Sequence, residues 1–594
     1  MTVKKSTIHK VLSLLPLQFR FKVILVFIGN LIGNFLEIIG IGILPIFILN
    51  IMAPEKLKEF LIEKKLSSLV KLIEYENILL IGILGLIFFF LIKNLYLLMM
   101  VYMQRKLGIK IINYNKSTAY KSYISNNYEM TLKKSPSVLL SFINNEIPLA
   151  LNLVELFLLI IRETTVIFLI LLAILFLNYK MTLIITLTLA IYLFLFVYLL
   201  KNYSSTAGKV IQAQTLKSLK IVNETFDLIK EIIIYKKEKY FSDIFDKQED
   251  YKEKMRLLNA TLNALPRLLL EIGLLIMILV IILSNQLLNN DVISIIPTLS
   301  FLAVASLRLI PAFKVLSSSF NQINYYKPSL DLVFDEFELL KKSKLKSYEH
   351  DHEDNSIDIE FNKKITITNL NFQYDGLKKN IINNISLEIL KSEKVGIIGK
   401  SGTGKTTLIN LILGLLKPSS GQILSDNKDI NSSLGSWYKK IGYVPQEISL
   451  LDDSIKRNIA FGLHEDDIDP NKIEKAVNLS RVSDFADKFS DKLETIIGNK
   501  GVQLSGGQRQ RIGIARALYN EPEILILDEA TNSLDDFNEK QIISQVTTLK
   551  NITILIIAHR TESLASCDKI IYLENGSLKE IGKYNDIINK HNIK

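Results

Sequence analysis

Gly399-Lys400-Ser401-Gly402-Thr403-Gly404-Lys405-Thr406 fits G-x-x-x-x-G-K-[ST] at every position. The apolar run Val395–Ile398 precedes it, and a helical pattern follows from Thr406 through Thr407 and beyond. The motif therefore sits at a strand-to-helix turn. Glycines there let backbone N–H groups point inward, and the helix N-terminus adds the positive end of its dipole. Such a turn cradles phosphates: Lys405 reaches the β and γ phosphates, and Thr406 offers a hydroxyl to Mg²⁺. A chance glycine-rich turn would lack the flanking strand and helix.

Outward from this loop, short apolar strands alternate with helices: Ile365–Leu370, Lys394–Ile398, the helix Thr406–Leu415, Ile524–Asp528 and Thr553–Ala558. The alternation predicts a mainly parallel sheet with helices on its faces. Ile524–Leu527 ends in Asp528 and Glu529, two carboxylates at the C-terminal end of a buried strand, where α/β sheets bind ligands. Asp528 is placed to hold Mg²⁺ through water, and Glu529 to polarise an attacking water as general base. Acid pairs at strand ends are common, so this pair alone decides little.

Leu504-Ser505-Gly506-Gly507-Gln508 decides the reading. With the phosphate loop it resembles the signature of ABC-transporter ATPases, and the rest of that family's set follows in order across the whole C-terminal domain. The resemblance implies ATP and Mg²⁺ as cofactors. Tyr374 stands where the family stacks an aromatic on adenine. Gln446 stands where the family links Mg²⁺ and the attacking water to the membrane domain. Ser533-Leu534-Asp535 matches the loop that crosses the dimer interface, and His559 matches the switch histidine on the γ-phosphate. One stretch departs: exporters of this class usually carry a Glu-Arg-Gly-like segment before the signature, and here it reads Asn499-Lys500-Gly501. That puts the coupling contact of the acid in doubt and leaves the ATPase chemistry intact.

The N-terminal half is of another kind. The chain has 594 residues, 49% hydrophobic and 22% charged, enough for about three to five domains. Its positive mean hydropathy argues against disorder and against a purely soluble chain. One cysteine and six histidines exclude an intramolecular disulfide framework and leave little for metal chemistry. The net charge of +11 does not imply nucleic acid, since lysine is abundant everywhere and membrane proteins carry excess Lys/Arg on the cytoplasmic side. A membrane span needs about 20 mostly apolar residues. Six stretches qualify: Val23–Met52, Ile78–Met103, Leu149–Leu177, Met181–Leu200, Leu268–Leu288 and Val292–Leu316. The first 20 residues lack a small-residue cleavage site. Ser6–Phe19 instead predicts an amphipathic helix on the inner surface, with Lys10 and Arg20 toward lipid headgroups. Ala53–Asn77 predicts a second amphipathic helix, on the outer face.

Lys and Arg crowd the segments after the second and fourth spans: Arg105, Lys106, Lys110 and Lys116 in one, Lys201, Lys209, Lys217 and Lys220 in the other. The positive-inside rule then places both termini and the C-terminal domain in the cytoplasm, with the chain multi-pass in the cytoplasmic membrane. The length and helical pattern of these segments predict that the spans continue beyond the bilayer. The expected organisation is a six-span helical domain of the ABC exporter type at 1–340, a polar linker at 341–360 and an α/β P-loop NTPase domain of ABC type at 361–594. One copy of each half resembles an ABC exporter half-transporter, and the family's sandwiched ATP then implies a homodimer.

The membrane half resembles one subgroup, the PglK-type flippases of lipid-linked oligosaccharides. The matching stretches are Glu37, Leu265-Pro266-Arg267, Leu307-Arg308-Leu309-Ile310-Pro311, Tyr325–Asp331 and the outer helix Ala53–Asn77. A charge at membrane depth is costly, so Lys93, Arg267 and Arg308 should face a watery cavity or a partner. Arginine suits phosphate oxygens, so a polyprenyl-diphosphate glycan is a sensible cargo. Lys93 stands where the subgroup tends to have arginine, and it offers a point charge instead of a fork. The structural alternative has Arg267 snorkelling at the inner surface and Arg308 paired with Glu155, Glu163 or Glu271. The functional alternative is an exporter of a peptide, toxin, drug or other lipid; within it, the lack of a peptidase segment before the spans counts against a processing peptide exporter.

Overall fold

The computed structural model describes residues 6–52, 78–126, 128–129, 134–177, 179–287, 296–351, 358–374, 379–498, 501–530, 536–549, 551–558 and 561–591. The chain divides into two units, Met1–Asn126 with Lys133–Lys342, and Asn127–Leu132 with Ser343–Lys594.

The first unit is helical. A short helix α1 (Thr7–Leu14) leads into α2 (Leu17–Met52), α3 (Ile78–Ile124), α4 (Ile147–Leu177), α5 (Tyr179–Asp227), α6 (Glu238–Leu287) and α7 (Ile296–Asp351). Helices α3, α5, α6 and α7 run 47, 49, 50 and 56 residues, well beyond the roughly 20 that a bilayer needs. Their apolar runs thus continue as helix into the polar, Lys-rich segments. Pro266, Pro311 and Pro328 lie inside α6 and α7, which neighbouring helices tolerate by re-satisfying the freed backbone groups. Among the described residues, Leu17–Gly40 and Leu80–Ile124 are long and apolar enough to cross a membrane by length and composition. Helix α3 turns Leu80, Leu84, Phe88, Leu91 and Leu95 outward, each more than half exposed, a continuous apolar face that lipid accepts and water does not. The outer helix expected at Ala53–Asn77 lies outside the described residues. Helix α7 runs on to Asp351, into the stretch expected as a linker.

One expectation is corrected at the N-terminus. Lys10 does not reach for lipid: its Nζ donates to Asp331 Oδ1 on α7 at 2.7 Å and lies 5.1 Å from the Phe334 ring centre. Val11, Leu14 and Leu15 are buried beside Ile111, Ile147 and Leu330. Arg20 donates to the Leu12 carbonyl at 3.3 Å. The apolar face of α1 finds a protein surface, and the carboxylate on that surface satisfies the lysine.

The second unit holds two sheets. Strands β1 (Lys364–Phe372), β2 (Ile382–Leu390), β4 (Ser420–Ser425) and β5 (Lys428–Asp429) form an antiparallel sheet in the order β2-β1-β4-β5. Strands β3 (Lys394–Ile398), β6 (Ile441–Val444), β7 (Ile524–Asp528), β8 (Thr553–Ile557), β9 (Lys569–Glu574) and β10 (Ser577–Gly582) form the other, in the order β10-β9-β3-β8-β7-β6. The latter is parallel except for β10. Every residue of β7 and β8 is buried, as parallel strands covered on both faces require. The expected mainly parallel sheet is thus present, but the antiparallel sheet corrects it. Its signal was the alternation Ile365-Thr366-Ile367-Thr368 and Leu387-Glu388-Ile389, which marks strands with one wet face. Helix α8 (Lys405–Ile412) starts at the phosphate-loop motif, and α9 (Gly506–Tyr519) at the second motif. Trp437, fully buried, donates its indole N–H to the Ile412 carbonyl at 2.9 Å and closes the end of α8.

Candidate functional site

Strand β3 delivers the chain into a loop that only glycine geometry permits. Gly404 caps α8 with φ +95°, and a Cβ there would meet Ile382 Cδ1 at 2.9 Å and the Ile381 carbonyl at 3.1 Å. At Gly399 a Cβ would come within 2.5 Å of the Leu573 carbonyl. Thr403 holds the loop closed, its hydroxyl donating to the Lys400 carbonyl at 2.8 Å. Ser401, Gly402 and Thr406 lie at the open rim, while Thr407 turns inward. Lys405 folds its ammonium into the loop, donating to the carbonyls of Gly399 at 2.8 Å and Lys400 at 3.2 Å. Burial pushes this lysine below its ordinary value, and the carboxylates of Glu529 and Asp528 pull it back up.

Those carboxylates lie at the end of β7. Asp528 is 1% exposed, and its Oδ1 is buried with no hydrogen-bond partner. Burial first and then Glu529 push its carboxyl up to about 6, against Lys405 and a hydrogen bond from Tyr443. Glu529 adopts φ +52°, a left-handed conformation that is strained for a residue with a side chain. Its N–H is tied to the Ile557 carbonyl at 2.9 Å, and its Oε2 accepts from Gln446 Nε2 at 2.7 Å. The strain re-aims the carboxylate off the strand axis. Lys405, Asp528, Glu529 and Gln446 are thus gathered at the C-terminal ends of β3, β7 and β6. Tyr443 is the residue that sequence reasoning missed; its signal was an aromatic in the β6 strand that neighbours β7.

The donor set suits a hydrated Mg²⁺ bound with nucleotide phosphates. A buried carboxylate oxygen has no hydrogen-bond partner, a threonine hydroxyl stands exposed at the helix start, and a glutamine amide lies alongside. Tyr374 follows β1, packs edge-on to Phe372 with ring centres 4.8 Å apart and lies 3.4 Å from the Thr407 hydroxyl. Ser505 caps α9 in a reciprocal box: its Oγ accepts from Gln508 N at 3.2 Å, and its N–H donates to Gln508 Oε1 at 2.8 Å. Gly506 and Gly507 form the first turn, and the serine's bonds stay inside that turn. His559, Asp535 and the Asn499-Lys500 departure lie outside the described residues.

In the helical unit, Arg308 donates Nη2 and Nε to Glu37 Oε2 at 2.9 and 3.2 Å. It also lies 3.2 Å from Glu163 Oε2. Glu163, of the three expected partners, is therefore found, and Glu37 joins it; Glu155 instead pairs with Arg105 at 3.0 Å. Arg267 pairs with Glu271 one turn on, at 2.8 Å, and Lys93 Nζ lies 4.5 Å from the Phe90 ring centre. No ion pair among the described residues joins the three cations into one cluster.

Two family models match this chain: "ABC transporter transmembrane region" over residues 23–308 and "ABC transporter" over 382–532. Among curated proteins, the ATP-dependent lipid A-core flippase of Cupriavidus metallidurans is 37% identical over 232 residues, 39% of each chain. The leukotoxin translocation ATP-binding protein LktB of Mannheimia haemolytica is 39% identical over 230 residues, 38% of this chain and 32% of that one. The chain thus spans about two fifths or less of the length of these relatives. Among solved structures, a bacterial Atm1-family ABC exporter with ATP bound matches with a TM-score of 0.75 and 18% identity. That match covers 96% of this chain and 97% of that one.

Proposed function

The chain belongs to the ABC transporter family, with that family's transmembrane region and its ABC domain in one polypeptide, and from this we propose that it hydrolyses ATP to flip a lipid-linked oligosaccharide across the cytoplasmic membrane. The observation that carries the ATPase reading is the gathering of Lys405, Asp528, Glu529 and Gln446 beside a phosphate-shaped loop. The loop's backbone N–H groups and Lys405 hold the β and γ phosphates. Glu529, aimed by its strained backbone and by Gln446, takes the proton of the attacking water. Thr406, Asp528 and Gln446 would hold Mg²⁺, which when bound neutralises charge on the phosphates. Tyr374 supplies a face for adenine.

On this reading the helical unit has six spans with both termini in the cytoplasm, residues 1–340 are the membrane domain and 361–594 the nucleotide-binding domain. Ser505 on α9 makes its bonds within its own turn and so is available to a second copy, which supports a homodimer with ATP shared between the phosphate loop of one and Ser505, Gly506, Gly507 and Gln508 of the other. Asp535 and His559 complete each site.

The cargo reading rests on Arg308, whose side chain keeps part of its surface within the transmembrane region beside Glu37 and Glu163, so its charge can be offered to an anion that displaces a carboxylate. Arg267 and Lys93 are the second and third candidates for the diphosphate. The test is glycolipid flipping in proteoliposomes: Arg308→Ala protein that elutes normally should flip polyprenyl-diphosphate glycan at least about tenfold more slowly, since an arginine–phosphate contact is charge-assisted. Flipping at the wild-type rate sinks the cavity-cation idea. A second reading, export of a peptide or toxin, is favoured by the leukotoxin-translocating relatives. It wins if the wild type moves such a cargo and ignores the glycolipid.

A further inference from the structure

Four charges meet inside the transmembrane region. Arg162, next to Glu163 on α4, gives its Nε and Nη2 to Glu163 Oε1 at 2.8 and 2.6 Å. Glu163 is 1% exposed, and its other oxygen lies 3.2 Å from Arg308. The Arg308 atom nearest Glu163 is Nη2, and that same Nη2, together with Nε, donates from α7 to Glu37 on α2. The set is neutral, Arg162 and Arg308 against Glu37 and Glu163, as a low-dielectric setting demands.

The four are not equivalent. Glu163 is enclosed and takes both donors of Arg162 on Oε1, while its Oε2 lies within ion-pair distance of Arg308 without a hydrogen bond, so it is a fixed part of the bundle. The Glu37–Arg308 pair is different: its two side chains keep 20% and 22% of their surface. Its bonds are also the longer ones, since Arg162 likewise puts both donors on a single oxygen of Glu163 but at 2.8 and 2.6 Å. Both guanidinium donors converge on the single oxygen Glu37 Oε2, at 2.9 and 3.2 Å. The stronger arrangement for this fork is two parallel bonds to two oxygens. A phosphate or diphosphate presents several oxygens and can supply that arrangement.

We propose that Glu37 is a removable counter-anion: it occupies the Arg308 edge between transport events, and the phosphate oxygens of an anionic lipid headgroup displace it. The inference rests on the lipid-cargo reading above and adds to it a residue that sets substrate affinity without touching substrate. When no cargo is present, Glu37 accepts the hydrogen bonds from Arg308 that Glu163, 3.2 Å away, does not take. It also competes with the cargo, so its charge weakens binding. An anion too poor to displace a carboxylate is rejected, which makes Glu37 a selectivity filter for multiply charged headgroups. Glu37 is in this sense a positioning residue, acting through Arg308.

The experiment titrates purified protein in nanodiscs with polyprenyl diphosphate, reading thermal stabilisation and stimulated ATP hydrolysis. Phosphate-free polyprenol and inorganic diphosphate are parallel arms. Glu37→Gln should lower the half-saturating concentration of polyprenyl diphosphate by roughly tenfold, because a competing charge at the same cation is gone. Arg308→Ala should lose the response, and the double variant should behave as Arg308→Ala. Glu37→Asp, one carbon shorter, should also bind more tightly, and it carries the test if Glu37→Gln does not fold. A purely structural role for the pair predicts the opposite, equal or weaker binding on losing Glu37; that result, with Arg308→Ala still defective, overturns this inference and leaves the cargo reading standing. No response of the wild type to polyprenyl diphosphate overturns both. Inorganic diphosphate binding as tightly as the lipid would overturn the headgroup assignment in favour of a free ion.

Discussion

Glu529 and Asp528 are neighbours in one strand end, yet their environments set them to different tasks. Glu529 is held off the strand axis by a left-handed backbone and oriented by Gln446. Glu529→Gln should leave ATP binding intact and cut hydrolysis by about 10²–10⁴, the span general bases supply; single-turnover assays beside a nucleotide titration check it. Lys405→Ala should instead weaken nucleotide binding itself, since the phosphates lose their cation, and the same titration reads that. Asp528 has a folded-state pKa of about 6, raised from 3.8. A raised value means that the folded state favours the protonated form. Its contribution to stability is complete below 3.8 and is lost as pH rises through 6. Asp528→Asn should therefore raise the Tm of nucleotide-free protein at pH 7.5 by about 2–4 °C, the shift a change of about 1 kcal/mol gives in a domain of this size. The gain should shrink as pH falls from 6 toward 4, and a pH series of melts would show whether it does.

At the scale of elements, the phosphate loop and α8 depend on contacts far from the phosphates. Trp437→Phe keeps a ring in the pocket but leaves the Ile412 carbonyl without the indole donor. The loss should be about 1–3 kcal/mol, seen as a lower melting temperature by calorimetry, with nucleotide binding reduced only in step with folding. Gly404→Ala should be worse for binding than for folding, because a side chain at φ +95° pushes on Ile382 and the Ile381 carbonyl beneath the loop.

The same elements show what could be read from residues alone. The strand–loop–helix at 395–412 and the buried strands β7 and β8 were legible because their apolar runs and glycines have one physical solution. The antiparallel sheet was missed because alternation over four or five residues was outweighed by the neighbouring parallel pattern. The pairing of Lys10 with Asp331 and of Arg308 with Glu37 was illegible for a plainer reason. Those partners are 321 and 271 residues apart, and only helix packing decides which of many carboxylates each cation meets. Tyr443 escaped notice because its hydroxyl matters only through the strand next to it.

On the scale of the whole molecule, the proposed homodimer makes subunit composition an experimental variable. Ser505→Arg blocks the capping turn of α9 without touching the phosphate loop, and Lys405→Ala disables the loop without touching α9. Either change made throughout a homodimer cripples both sites. A mixed dimer has one site with both defects and one site with neither, so mixing the inactive variants should restore part of the hydrolysis. No recovery from subunits shown to exchange, or hydrolysis by a strict monomer, would refute the shared site.

Trp437 is the single tryptophan of the chain, and it is fully buried under α8. Indole emission therefore watches the nucleotide-handling unit alone, while the long helices α2–α7 dominate the far-ultraviolet dichroism. In a denaturant series the red shift of that emission will mark the loss of the loop-bearing fold. The dichroism will mark the helical half, and any gap between the two midpoints measures directly how far each half stands without the other.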